Sequence, residues 1–116
     1  MAVRLRAAIC GAAIMLAYSS VAMAESGIAS IYAYSGEKTA NGEYANPKKL
    51  TAAHRTLAFG TNVRVTNQRN GRSITVRIND RGPFVRGRVI DLTPAGARAL
   101  GFSGLAPVKL EINPTS

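Results

Sequence analysis

Thr75-Val76-Arg77-Ile78-Asn79-Asp80-Arg81-Gly82-Pro83-Phe84 begins as a strand and ends as a loop. Ile74, Val76 and Ile78 alternate with Thr75 and Arg77, the period of two expected when one face of a strand is buried. Arg81-Gly82-Pro83 then breaks the pattern, because Pro83 has no N–H to give a ladder and Gly82 loosens the backbone. Asp80 therefore stands where a rigid strand opens into a loop, with Arg81 beside it. Scaffolds present working groups at such points. The chain has only six acidic residues, so a carboxylate in this position draws notice. The plainer reading is that Asp80 caps the turn or pairs with Arg81.

Working outward, Asn62 to Asn67 reads as a strand with Val63 and Val65 inward. Asn70-Gly71 is a hairpin signal, since both residues tolerate positive φ, and Arg72 to Asn79 returns antiparallel. Downstream, Arg88 to Leu92 is a strand. Thr93 is placed as the N-cap of a short helix, with Pro94 at its first position and Gly101 closing it. Val108 to Ile112 alternates Val108, Leu110 and Ile112 with Lys109 and Glu111, a last strand. Upstream, Gly27 to Tyr34 reads as the first strand, with Ile28, Ser30, Tyr32 and Tyr34 on one face and Ala29, Ile31 and Ala33 on the other. Between them, Ser35 to Pro47 is polar, rich in turn residues and long for so small a domain, and it holds Glu43. Lys48 to Arg55 contains a short apolar stretch ending in His54, the one histidine. About five or six short strands and one short helix suggest an all-β chain closed into a small barrel, which also removes exposed edges.

The N-terminus reads as an export signal. Arg4 and Arg6 precede a mostly apolar run from Ala7 to Val21, and Ala22-Met23-Ala24 fits a processing site. The run is too short for a membrane span. Cys10 lies inside it, and the large residue before that cysteine argues against lipidation. Residues 1–24 are thus expected to be a cleaved leader and 25–116 one domain of 92 residues, soluble, exported to the periplasm and without cysteine. The chain carries 15 Lys and Arg against 6 Asp and Glu; without Arg4 and Arg6 the net charge is +7. Such a balance suits a polyanionic partner. For an exported protein, wall or membrane-surface polymers fit better than nucleic acid, which is not expected as a partner.

Glu43, His54 and Asp80 come from three loop-proximal positions. One histidine, scattered acids and no cysteine beyond the leader give no metal spacing, and no metal or cofactor is expected. There is no phosphate-cradling glycine loop and no Gly-x-Ser-x-Gly elbow. A pair of carboxylates plus a histidine remains. Two carboxylates in different environments can divide acid and base roles, as glycosidic cleavage requires. His54 by itself reads as readily as a loop hydrogen-bonding residue.

Gly27-Ile28-Ala29-Ser30 followed by Tyr32, Thr39-Ala40-Asn41-Gly42-Glu43, Leu50-Thr51-Ala52-Ala53-His54-Arg55-Thr56-Leu57, Val63-Arg64-Val65-Thr66-Asn67, Asn79-Asp80-Arg81-Gly82-Pro83-Phe84 and Gly87-Arg88-Val89-Ile90-Asp91-Leu92 together resemble the run of motifs in rare lipoprotein A-like proteins, the septal-type lytic transglycosylases of bacteria. The resemblance covers nearly all of the chain after the leader. It implies a six-stranded double-psi β-barrel with one or two short helices, as in expansins and family 45 endoglucanases. It also implies action on peptidoglycan glycan strands, preferentially those stripped of stem peptides, leaving 1,6-anhydro-muramoyl ends. Carried over by motif, Glu43, His54 and Asp80 would line the groove as catalytic residues. Asn41, Arg81, Tyr32, Tyr44 and Phe84 are candidates for binding substrate, the aromatic rings by packing on sugar faces, though each ring reads equally as core. Asp91 resembles an acidic position before the helix in expansin-like barrels, and reads equally as an anchor for the turn into Thr93. The chain departs from the best-known members in lacking a lipidation site and a C-terminal glycan-binding repeat, so no stable membrane anchor is expected, and a monomer is. The alternative is an expansin-like module that binds wall glycans without cutting them; a protein-binding barrel such as a protease inhibitor is a third.

Overall fold

The computed structural model describes residues 23–32 and 36–112. The expected leader lies outside them except for Met23 and Ala24, and Tyr34 also lies outside. The elements are β1 (Met23–Ile31), β2 (Thr51–Ala53), β3 (Asn62–Asn67), β4 (Ser73–Asp80), β5 (Arg88–Leu92), α1 (Pro94–Leu100) and β6 (Ala106–Ile112). The six strands close into a barrel in the order β1-β5-β2-β4-β3-β6. Two neighbouring pairs, β1 with β5 and β2 with β4, run parallel. The other four, including the β1–β6 pair that completes the ring, run antiparallel. This is the all-β, closed six-stranded architecture expected.

Alternation fills the barrel. Val63, Val65, Val76, Ile78, Ile90, Leu92, Val108 and Leu110 are almost wholly buried, and Leu100 of α1 joins them. At about 25 cal/mol per Å² of apolar surface removed from water, side chains of this size are worth about 1.5–3 kcal/mol each. At Gly27, where β1 passes β5, a Cβ would come within 2.4 Å of Val89 Cγ1; only glycine lets the strands approach this closely.

α1 forms where its end signals place it. Thr93 is extended (φ −70°, ψ 161°), its Oγ1 accepts from Gly96 N at 3.1 Å, Pro94 follows, and Gly101 closes the helix with φ 80°. The Thr93 hydroxyl also donates to the Lys49 carbonyl at 2.6 Å, tying the helix to the segment that leads into β2.

Three local expectations needed correction. β1 starts at Met23 and not Gly27, because Met23 to Ser26 pair with Ile112 to Lys109 of β6; a polar stretch becomes strand through its partner. β2 was unmarked because Thr51, Ala52 and Ala53 are all buried, leaving no alternation to read. The β3–β4 hairpin is not a two-residue turn on Asn70-Gly71: Asn67 N bonds Arg72 O, and only Gly71 has positive φ. Asn70 serves through its side chain, with Nδ2 on Leu100 O and Oδ1 on Arg72 N.

Candidate active site

The connection carrying Glu43 is an ordered arm. Gly36 N bonds Ala45 O, Ala45 N bonds Glu37 O, and Lys38 bridges Tyr44. Its tip, Thr39 to Glu43, is a tight turn: Thr39 N donates to Glu43 O at 2.7 Å and Gly42 N to Thr39 O at 3.0 Å. Asn41 organises the turn from inside, its Oδ1 accepting from the Thr39 hydroxyl and from Glu43 N. An asparagine amide bonding backbone two residues on is a common way to fix such a turn.

The turn docks on the end of β4 by exchange. Asn41 N donates to Asn79 O at 3.2 Å, and Ala40 N donates to Asp80 Oδ1 at 2.9 Å. In return, Asn79 Nδ2 donates to Glu43 Oε1 at 3.0 Å, and Arg77 Nη1 reaches the same oxygen at 3.1 Å. Arg77 and Asn79 are two apart on one strand and so share a face. Asp80 also accepts from Arg81 N at 2.9 Å, and its Oδ2 accepts from the Tyr32 hydroxyl at 3.2 Å. The segments bearing Glu43 and Asp80, far apart in sequence, thus hold each other.

The Asn79 amide, and after it the Arg77 guanidinium, hold the Glu43 carboxyl down at about 2 from an ordinary 4.5. Glu43 is therefore a carboxylate at neutral pH. It faces a groove of about 200 Å³ lined also by Tyr44, Asn46, Lys49 and Arg77. Among the described residues, no group of three or more His, Cys, Asp or Glu could hold a metal ion.

The expected site residues separate into two groups. Glu43 and Asp80 are brought together through the docked turn, with Asn41 as its organiser. Tyr32 is buried and supports Asp80 through its hydroxyl; its ring is not open for sugar packing. Tyr44 (70% exposed) and Phe84 (78% exposed) are open, Tyr44 at the groove with the Lys38 ammonium 5.7 Å from its ring centre. His54 is committed elsewhere. It is 5% exposed, and its Nδ1 accepts from Thr56 N and Leu57 N, so the ring proton lies on Nε2 and is donated to Glu25 Oε1 at 2.9 Å. Only its backbone N–H reaches the site strand, at Asp80 O. With both nitrogens engaged, the imidazole pins the loop after β2 to β1. Arg81 likewise turns to that loop, donating to the His54 and Leu57 carbonyls and stacking 4.0 Å over Phe59. Asp91 accepts from the Ser30 hydroxyl across the β1–β5 pair and does not anchor Thr93.

Sequence reasoning passed over Arg77 and Asn79 as site residues. The signal was present: two polar residues on one strand face, immediately before Asp80.

Residues 24–110 match the family described as lytic transglycolase. The chain belongs to this family. Lytic transglycolase relatives include the Nostoc sp. protein named "Probable endolytic peptidoglycan transglycosylase RlpA", 59% identical over 100 residues, which cover 81% of this chain and 27% of that protein. The Campylobacter jejuni endolytic peptidoglycan transglycosylase RlpA is 52% identical over 90 residues, covering 74% of this chain and 33% of the relative. The chain therefore spans about a quarter to a third of the length of these relatives. Among solved structures, the Streptomyces papain inhibitor superposes with TM-score 0.65 at 21% identity, covering 80% of this chain and 96% of that one. An apo expansin from Clavibacter michiganensis gives 0.62 at 23% identity, covering 81% and 52%. These two likenesses speak to fold alone, and the fold is the double-psi β-barrel.

Proposed function

We propose that the chain is an exported peptidoglycan lytic transglycosylase. It cleaves the bond between N-acetylmuramic acid and N-acetylglucosamine, preferentially in peptide-stripped strands, and leaves 1,6-anhydro-muramoyl ends. The observation that carries the reading is the pair of carboxylates laced together with unlike surroundings, one of them held ionised. Relatives named as endolytic peptidoglycan transglycosylases support it, as does the basic balance of the chain.

Glu43, held as a carboxylate by Asn79 and Arg77, carries a negative charge at neutral pH. It is suited to face the positive charge of an oxocarbenium-like transition state. Asp80, at the end of β4 beside the docked turn, is assigned the proton transfer. As the acid it gives its proton to the glycosidic oxygen, and the C1–O bond breaks with its electron pair passing to that oxygen. The muramoyl C6 hydroxyl attacks C1, and its proton returns to the Asp80 carboxylate. No water is consumed. Tyr32 and Ala40 N–H fix Asp80 for both transfers. Tyr44 and Phe84 offer rings to the sugar faces, and the leader over residues 1–24 carries the chain out of the cytosol. Among the described residues no helix is long and apolar enough to cross a membrane.

The test is product analysis. The chain from Glu25 to Ser116 is incubated with intact and peptide-stripped glycan strands beside Asp80→Asn and Glu43→Gln, and products are read by mass spectrometry. Anhydro ends that vanish in both variants are expected. Reducing ends would mean a hydrolase. Co-sedimentation without products would overturn the enzyme in favour of a binding module.

A further inference from the structure

Asn79 is an unusual residue to find at this depth. It is 3% exposed, and its amide oxygen Oδ1 is buried with no hydrogen-bond donor to meet it. Buried polar atoms are nearly always partnered, and one that is not lowers stability. The amide cannot relieve this by turning over, because Oδ1 would then face the Glu43 carboxylate in place of Nδ2. The backbone of Asn79 does not need this side chain either: its carbonyl accepts from Asn41 N whatever the residue. A small recess borders the side chain, lined by Tyr32, Ala45, Pro47 and Pro94 together with Thr39, Asn46, Thr51 and Thr93. The amide is used through its nitrogen, on Glu43, and its oxygen meets nothing.

We propose that Asn79 is a positioning residue for glycan cleavage, its amide N–H fixing the Glu43 carboxylate against the strand that carries Asp80. The inference rests on the glycan-cleaving reading above. The unpartnered oxygen is the other half of an amide kept for its nitrogen, a local sacrifice of stability at a working site. Arg77 holds the same oxygen of Glu43 from a side chain 38% exposed to solvent, where it is free to move. Asn79 is the buried and therefore the rigid partner. Arg77, Lys49 and Tyr44 are the other charged or titratable groups around the groove.

Two variants test this. Asn79→Leu keeps the branching and removes both polar atoms; Asn79→Asp keeps the shape, removes the N–H and sets a second carboxylate against Glu43. Neither variant removes a donor or acceptor of the Asn41–Asn79 backbone bond or of the Ala40–Asp80 bond. On peptide-stripped strands, Asn79→Leu is expected to lose at least tenfold in kcat with KM within twofold, and Asn79→Asp to lose more. The melting temperature of Asn79→Leu should equal or exceed that of the parent chain, and the Glu43 titration midpoint should rise. Parent-level kcat in Asn79→Leu would overturn the proposal, and so would a loss of activity matched by a fall in melting temperature. A parent chain that makes no anhydro ends would instead sink the enzyme reading. The Glu43 midpoint stays readable in that case, and an unmoved midpoint in Asn79→Leu would sink the positioning role separately.

Discussion

Glu43 should remain ionised far into acid, and this is the physical basis for giving it the charge-stabilising role. Its carboxyl lies at about 2, against an ordinary 4.5. At pH 3 a carboxyl with the ordinary value is about 3% ionised, whereas one at about 2 is about 90% ionised. The two cases are therefore easy to tell apart. The causes are ranked: the Asn79 amide at 3.0 Å comes first, and the Arg77 guanidinium at 3.1 Å second. Replacing the second, as Arg77→Gln, should raise the midpoint but leave it below 4.5, since the Asn79 bond persists. The assay is carbon-13 NMR of the Glu43 side-chain carboxyl between pH 1.5 and 6. Linkage gives an independent reading. A carboxyl whose folded value is depressed stabilises the fold above its unfolded value, and that contribution is lost as pH falls from about 4.5 towards 2. Urea midpoints should thus decline across this window in the parent chain, and less so in Glu43→Gln. A parent midpoint at or above 4 would refute the reasoning, and so would an Arg77→Gln midpoint fully returned to 4.5.

Thr93→Ala removes the cap on Gly96 N, the donor to the Lys49 carbonyl and a buried methyl, and should cost about 2 kcal/mol in urea unfolding; Thr93→Ser keeps the hydroxyl and should cost about half of that, so equal losses would refute the capping role. Tyr44→Ala and Phe84→Ala, at exposed positions, should leave stability within about 0.5 kcal/mol while weakening co-sedimentation with peptide-stripped strands severalfold; unchanged binding in both would remove them from the substrate surface.

Where a segment's structure depends on its own pattern, the sequence was sufficient. β3, β5 and the capped helix α1 lie where alternation and end signals put them. Where structure depends on a distant partner, it was not. β2 is three residues with no pattern, made a strand by β4 and β5 on either side. Met23 to Ser26 are strand because β6 lies beside them. The site divides in the same way. Glu43 and Asp80 could be named from their motifs, and so could the docking turn's asparagine. His54 could be named but its direction could not, because its ring is turned by Glu25 and by two backbone N–H groups after it. Tyr32 read equally as a sugar-packing ring and as core; its hydroxyl's support of Asp80, a contact across 48 positions of sequence, could not be read.

The two carboxylates differ in how their surroundings are made, and this bears on how the site could change. Three hydrogen bonds to Asp80 come from Ala40 N, Arg81 N and the Tyr32 hydroxyl. Two of these donors are backbone, present whatever residue stands there and lost only if the turn or the strand end moves. Glu43 is held by side chains, Asn79 and Arg77, which a single substitution removes. The environment of Asp80 is thus tied to the fold, and that of Glu43 to two replaceable residues. Substitutions that adjust the strength or pH range of catalysis without unfolding the barrel should therefore fall at positions 77 and 79. Those that act through the Ala40 bond to Asp80 should act by undocking the Thr39–Glu43 turn and so disturb Glu43 as well. The exchange of bonds between turn and strand makes this coupling unavoidable: whatever moves Ala40 off Asp80 also moves Glu43 off Asn79.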